Sequence, residues 1–141
     1  MTKPLKKRGR HVELPILGDT VAELRIASDR IVTRIFRSKS DHETTLEIED
    51  SIVLSRGTST QTLKGSKPGT TFAPQTLQPL LELIGCTIVD ALAQEDGAIR
   101  LDISNAMTLT VASTDGYESW HLTSLNSPAP FTLHGGSGCL I

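Results

Sequence analysis

The chain has 141 residues, a formal net charge of −2, 38% hydrophobic residues and 4% aromatic residues. That length buries a core without disulfide or metal staples, and no stretch is apolar enough to span a membrane as a helix. With so few aromatics the core falls to Leu, Ile and Val, whose β-branched members favour strands.

The first ten residues hold Lys3, Lys6, Lys7, Arg8 and Arg10 and no acid. They read as a disordered basic tail, 1–10, ahead of a single β-rich domain, 11–141. The remainder is therefore more acidic than the whole, which argues against a dedicated nucleic-acid binder with its basic face. No leader-type apolar run follows the basic start, so the expected location is cytoplasmic, with Cys86 and Cys139 reduced.

Apolar residues then alternate with polar ones, the period of a half-buried strand. Leu24 and Ile26, then Ile31, lead into a polar hairpin tip at Arg37–Glu43. Leu46 and Ile48 point inward, and Glu47 and Glu49 point outward. Glu49-Asp50-Ser51 reads as a turn before Ile52 and Leu54. Lys64–Thr71 is rich in Gly, Pro and Ser and marks a loop. Thr76 as a cap, Pro79 in a first turn and Gly85 as a stop predict one short helix at 76–84.

Beyond it, Glu95-Asp96-Gly97 is a hairpin signal. Leu101, Ile103, Met107, Leu109 and Val111 face inward across a turn at Ser104-Asn105-Ala106. Thr114-Asp115-Gly116 predicts a further hairpin. Phe131–Leu133, a glycine-rich turn and Cys139-Leu140-Ile141 read as a last pair of strands.

Compared with itself, the chain shows two copies of one pattern, 24–63 and 81–122. Leu46-x-Ile48 matches Leu101-x-Ile103, and Ile52-x-Leu54 matches Met107-x-Leu109. Segments Glu49-Asp50-Ser51 and Ser104-Asn105-Ala106 become matching turns. The fold class is mainly β, a β-rich α+β chain. Two pseudo-repeated antiparallel meanders pack as a sandwich or partly open barrel, with the helix over an edge or end.

Gly85-x-Thr87-Ile88, Asp96-Gly97 before Leu101-x-Ile103, Leu109-x-Val111, Tyr117-Glu118-Ser119-Trp120-His121-Leu122 and Gly135-Gly136 occur in that order. This order resembles a family of small uncharacterised bacterial proteins, frequent in actinobacteria, whose recurring mark is Tyr-Glu-x-Trp. The resemblance covers residues 75–141 best. The chain departs from it at Asn105, where a glycine is commoner, and at its end, where an aromatic is commoner. The resemblance implies no activity.

On an unbroken strand Glu118, Trp120 and Leu122 share one face and His121 the other. An inward Glu118 beside the indole needs donors or a cation. It reads either as architectural or as a pocket carboxylate. No Gly-x-Ser-x-Gly elbow, phosphate loop or close-spaced His/Cys set is present, so the sequence predicts no enzyme, no metal and no cofactor.

The expected function is that of a non-enzymatic binding protein, most concretely an immunity-type protein neutralising a partner toxin. Glu43, Glu47, Glu49, Asp50 and Asp102 form its candidate acidic face. The alternative is a small-molecule binder or enzyme with a cleft near Glu118, Trp120 and His121. A protein partner is expected, and a homodimer through an edge strand is compatible with the pattern.

Overall fold

The computed structural model describes residues 6–8, 11–26, 31–36, 43–49, 52–63, 78–112, 118–124, 131–136 and 139–140. Strand follows strand as the alternation predicts: β1 (Lys6–Arg8), β2 (His11–Glu13), β3 (Thr20–Ile26), β4 (Ile31–Phe36), β5 (Glu43–Ile48), β6 (Ile52–Arg56) and β7 (Ser59–Leu63). After helix α1 (Gln78–Leu81) come β8 (Ile88–Gln94), β9 (Ile99–Ile103), β10 (Met107–Val111), β11 (Glu118–Ser124), β12 (Phe131–Gly136) and β13 (Cys139–Leu140). The helix ends at Leu81, short of the predicted end at 84, and the predicted first residues 76 and 77 lie outside the described residues. Residues 82–85 turn away, and Gly85 takes a φ of 87° that suits a helix stop.

Two open antiparallel sheets result, in the orders β1-β2-β8-β9-β10-β6-β7 and β13-β12-β11-β5-β4-β3, here sheets A and B. Their inner faces share one buried cluster. Ile99, Leu101, Leu109, Val111, Ile52 and Leu54 come from sheet A, and Val21, Ile31, Ile35, Leu46, Ile48, Trp120 and Leu122 from sheet B. The neighbours of these residues in sequence point outward, so each sheet has one apolar face and one polar face.

The connections reveal a duplicated topology. β3, β4 and β5 form a meander in sheet B, after which β6 and β7 join sheet A. β8, β9 and β10 form a meander in sheet A, after which β11 and β12 join sheet B. Each half thus lends a hairpin pair to the other's sheet, with β11 beside β5 and β6 beside β10. Both leading strands carry a one-residue register shift at the same place, Val21/Glu23 in β3 and Ile88/Asp90 in β8. Thr20 and Thr87, the equivalent residues before these shifts, bridge each other. Val21 N–H donates to Cys86 O at 2.9 Å and Ile88 N–H to Asp19 O at 2.8 Å, tying the two halves at this corner.

The sequence comparison sits one strand out of step with this relation. It matches β5 with β9 and β6 with β10, whereas the topology relates β5 to β10 and β6 to β11. Leu-x-Ile recurs in every inward-facing strand, so it does not fix which strand corresponds to which. For the same reason Glu49-Asp50-Ser51 is not a hairpin equivalent of Ser104-Asn105-Ala106. It lies between strands of different sheets. The basic tail also departs from expectation. Lys6–Arg8 form the edge strand β1, with Lys6 opposite Glu13. The predicted Lys64–Thr71 loop and Thr114-Asp115-Gly116 turn lie outside the described residues.

Candidate functional site

The residues singled out from sequence divide among three places. Glu43, Glu47 and Glu49 follow one another along the outer side of β5, because Thr44, Leu46 and Ile48 between them are buried. β5 lies inside sheet B, between β4 and β11. The register sets Glu47 between Val32 of β4 and His121 of β11, and Thr45 between Arg34 and Thr123. Arg34 in turn faces Glu23 of β3.

This outer face carries a linked set of charges. The Arg34 guanidinium hydrogen-bonds Glu43 through Nε and donates from Nη1 to Glu23 Oε2 at 2.9 Å. Arg25 contacts the same Glu23 at 3.4 Å. The hydrogen bond from Arg34 holds the Glu43 carboxyl below the ordinary glutamate range, and the two carboxylates raise Arg34 above its ordinary value. At the other end of the face His121 Nε2 lies 3.7 Å from Glu49 Oε2. Among the described residues of this face, Glu23, Glu43, Glu47 and Glu49 outnumber Arg25 and Arg34. Among the described residues this face is thus acidic, and both of its arginines are engaged.

Asp102 is elsewhere. It alternates with buried Leu101 and Ile103 on β9, so it lies on the outer face of sheet A, where it accepts from Arg100 Nε at 3.2 Å and Thr108 Oγ1 at 3.0 Å. Packed inner faces turn the two outer faces away from each other, so Asp102 does not extend the β5 acidic row. Asp50 lies outside the described residues. Glu23 and Arg34 are the members that sequence reasoning missed. Their signal was present, since Arg34 falls between inward Thr33 and Ile35.

Trp120 and His121 point to opposite sides of sheet B. Trp120 is fully buried and donates its indole N–H to Gly97 O in the β8–β9 hairpin, at 2.8 Å. The β11–β12 pairing shifts register between Glu118 and Trp120. The Glu118 side chain lies outside the described residues. Beside the indole, Gly135 leaves no room for a side chain: a Cβ there would stand 2.5 Å from Gly97 O and 2.7 Å from Trp120 Nε1. The Trp120 neighbourhood is therefore a packed seam between sheets.

An open groove of about 610 Å³ lies between the β6–β7 hairpin and α1, lined by Leu54, Arg56, Gln61, Leu63, Pro79 and Glu82 among others. Arg56 reaches across it to Glu82 at 3.3 Å. Among the described residues, no three His, Cys, Asp or Glu side chains are grouped to hold a metal ion. No helix among them is long and apolar enough to cross a membrane.

No curated protein and no solved structure matches the chain. A family model described as a family of unknown function, DUF6188, matches residues 12–137, from β2 to just beyond β12. The match covers both halves of the duplicated topology. The chain belongs to the family of unknown function DUF6188.

Proposed function

We propose that the protein is a non-enzymatic binding module, most concretely an immunity-type protein that neutralises a basic partner toxin, working in the cytoplasm. The outer face of sheet B is the docking surface. One observation carries this reading: Glu43, Glu47 and Glu49 lie along a central strand of sheet B, on an outer face that also carries Glu23, Arg25 and Arg34. An acidic, strand-built surface suits a large basic partner, since complementary potentials speed encounter and fix orientation. Arg34 keeps Glu43 ionised and in place, so part of the surface is held ready for a partner.

The test is affinity capture from a native-host lysate with the full chain as bait, alongside a Glu47→Lys/Glu49→Lys variant. The expected result is a basic protein retained at low salt, lost in the variant and weakened by added salt. Capture that ignores both changes, or a bait that retains nothing, would overturn the reading.

A further inference from the structure

The two sheets end in four edge strands, β1, β7, β13 and β3. An exposed edge presents unpaired N–H and C=O groups, and proteins guard such edges with charge, brevity, bulges or proline. Three of these edges are guarded. β1 is Lys6-Lys7-Arg8, a row of like charges. β3 carries Glu23 and Arg25 and a register shift. β13 has two residues.

β7 is different. It reads Ser59-Thr60-Gln61-Thr62-Leu63, without charge or proline, and it pairs with β6 in unbroken register. Ser59 to Thr62 are all exposed. Its outward groups follow from the hairpin. Arg56 pairs with Ser59 across a two-residue loop whose Gly57 has a φ of 60°. In such a hairpin the residues flanking the loop exchange hydrogen bonds. Ser59, Gln61 and Leu63 therefore bond to β6, while the main-chain groups of Thr60 and Thr62 face outward.

We infer that β7 is a dimerisation edge, at which the β7 strands of two copies of this chain pair antiparallel about a twofold axis through Gln61. That register opposes Thr60 to Thr62 of the second copy, twice, so the outward N–H and C=O groups of all four threonines are satisfied. Thr–Thr pairs are favourable cross-strand neighbours, and Gln61 meets its own amide, which both donates and accepts. No like charges meet, whereas self-pairing of β1 would stack lysine and arginine rows on each other. A second copy is the occupant because β7 is self-complementary: it is uncharged, and pairing about Gln61 satisfies the outward groups of Thr60 and Thr62 in both copies. Sheet A would continue through the axis into its counterpart, leaving the acidic face of sheet B open in each copy. The inference thus stands apart from the proposed toxin surface.

Sedimentation velocity of the full chain over about 1 µM to 1 mM spans the affinities expected of a small interface. The wild type should show a concentration-dependent dimer. Gln61→Lys sets like charges against each other at the axis, and Thr62→Pro removes an outward donor without costing a β6 bond. Each should weaken the dimer roughly tenfold or more with unchanged circular dichroism. A Glu23→Gln variant on the β3 edge should dimerise as the wild type does. A monomer throughout the range, a dimer indifferent to both β7 variants, or one lost in Glu23→Gln would overturn the assignment.

Discussion

The indole N–H of Trp120 in sheet B donates to the carbonyl of Gly97 in sheet A at 2.8 Å, joining the sheets by a buried polar contact. Gly97 holds a φ of 98° at the end of a three-residue hairpin loop, which turns this carbonyl toward the indole. Trp120→Phe keeps most of the ring but strands a buried acceptor, a loss of about 1–3 kcal/mol. Urea unfolding followed by circular dichroism should show it as a lower midpoint. An unchanged midpoint would mean that the contact adds nothing.

Gly135 is the third member of this seam, and a methyl there meets backbone and indole at once. Gly135→Ala should therefore cost about 1–3 kcal/mol or more, since neither neighbour is a flexible side-chain end. Gly57 offers a control. A Cβ at that position would meet nothing within 4 Å, and only the φ of 60° opposes a substitution. Gly57→Ala should cost about 1 kcal/mol. Equal losses would remove the steric account.

Ala106 closes the β9–β10 hairpin with a φ of 68°, in the left-handed region that disfavours a side chain. Ala106→Gly relieves that conformation, offset in part by greater freedom in the unfolded chain. The net gain should be about 0.5–1 kcal/mol, read as a melting midpoint a few degrees higher.

The depressed Glu43 titration has a definite sign. Its folded pKa lies below its unfolded one, so ionised Glu43 adds stability above the unfolded value and loses it as pH falls through the folded one. Glu43→Gln should be less stable than the wild type at neutral pH. The gap should close only below the ordinary glutamate value of about 4.3. Unfolding titrations at several pH values check this, and a gap that persists in acid would point to packing instead of charge.

Much of this was legible in the sequence. Alternation placed Leu101, Ile103, Leu109 and Trp120 inside, and the hairpins at Gly97 and Ala106 follow from their turn residues. Sheet membership was not legible. A strand with its apolar side inward reads the same in either sheet, so nothing local announces that β6 leaves its meander for the other sheet. That hidden step put the repeat one strand out and joined Asp102 to the β5 glutamates. The outward placement of Glu43, Glu47 and Glu49 needed only the alternation along β5 and the residue after it. His121 and Trp120 separated correctly by phase, whereas the register shift between Glu118 and Trp120 is a feature that alternation does not foresee.

Because each half completes its partner's sheet, neither half is a self-sufficient folding unit. A chain cut between β7 and α1 would yield two pieces: the β3–β5 meander with the β1–β2 and β6–β7 hairpins left without a sheet, and the β8–β10 meander with β11–β13 left without one. Brought together, the pieces should reassemble through the β2–β8, β5–β11 and β6–β10 seams, as a split reporter does. The same interlocking means that a proteolytic nick there would leave the molecule whole until it unfolds.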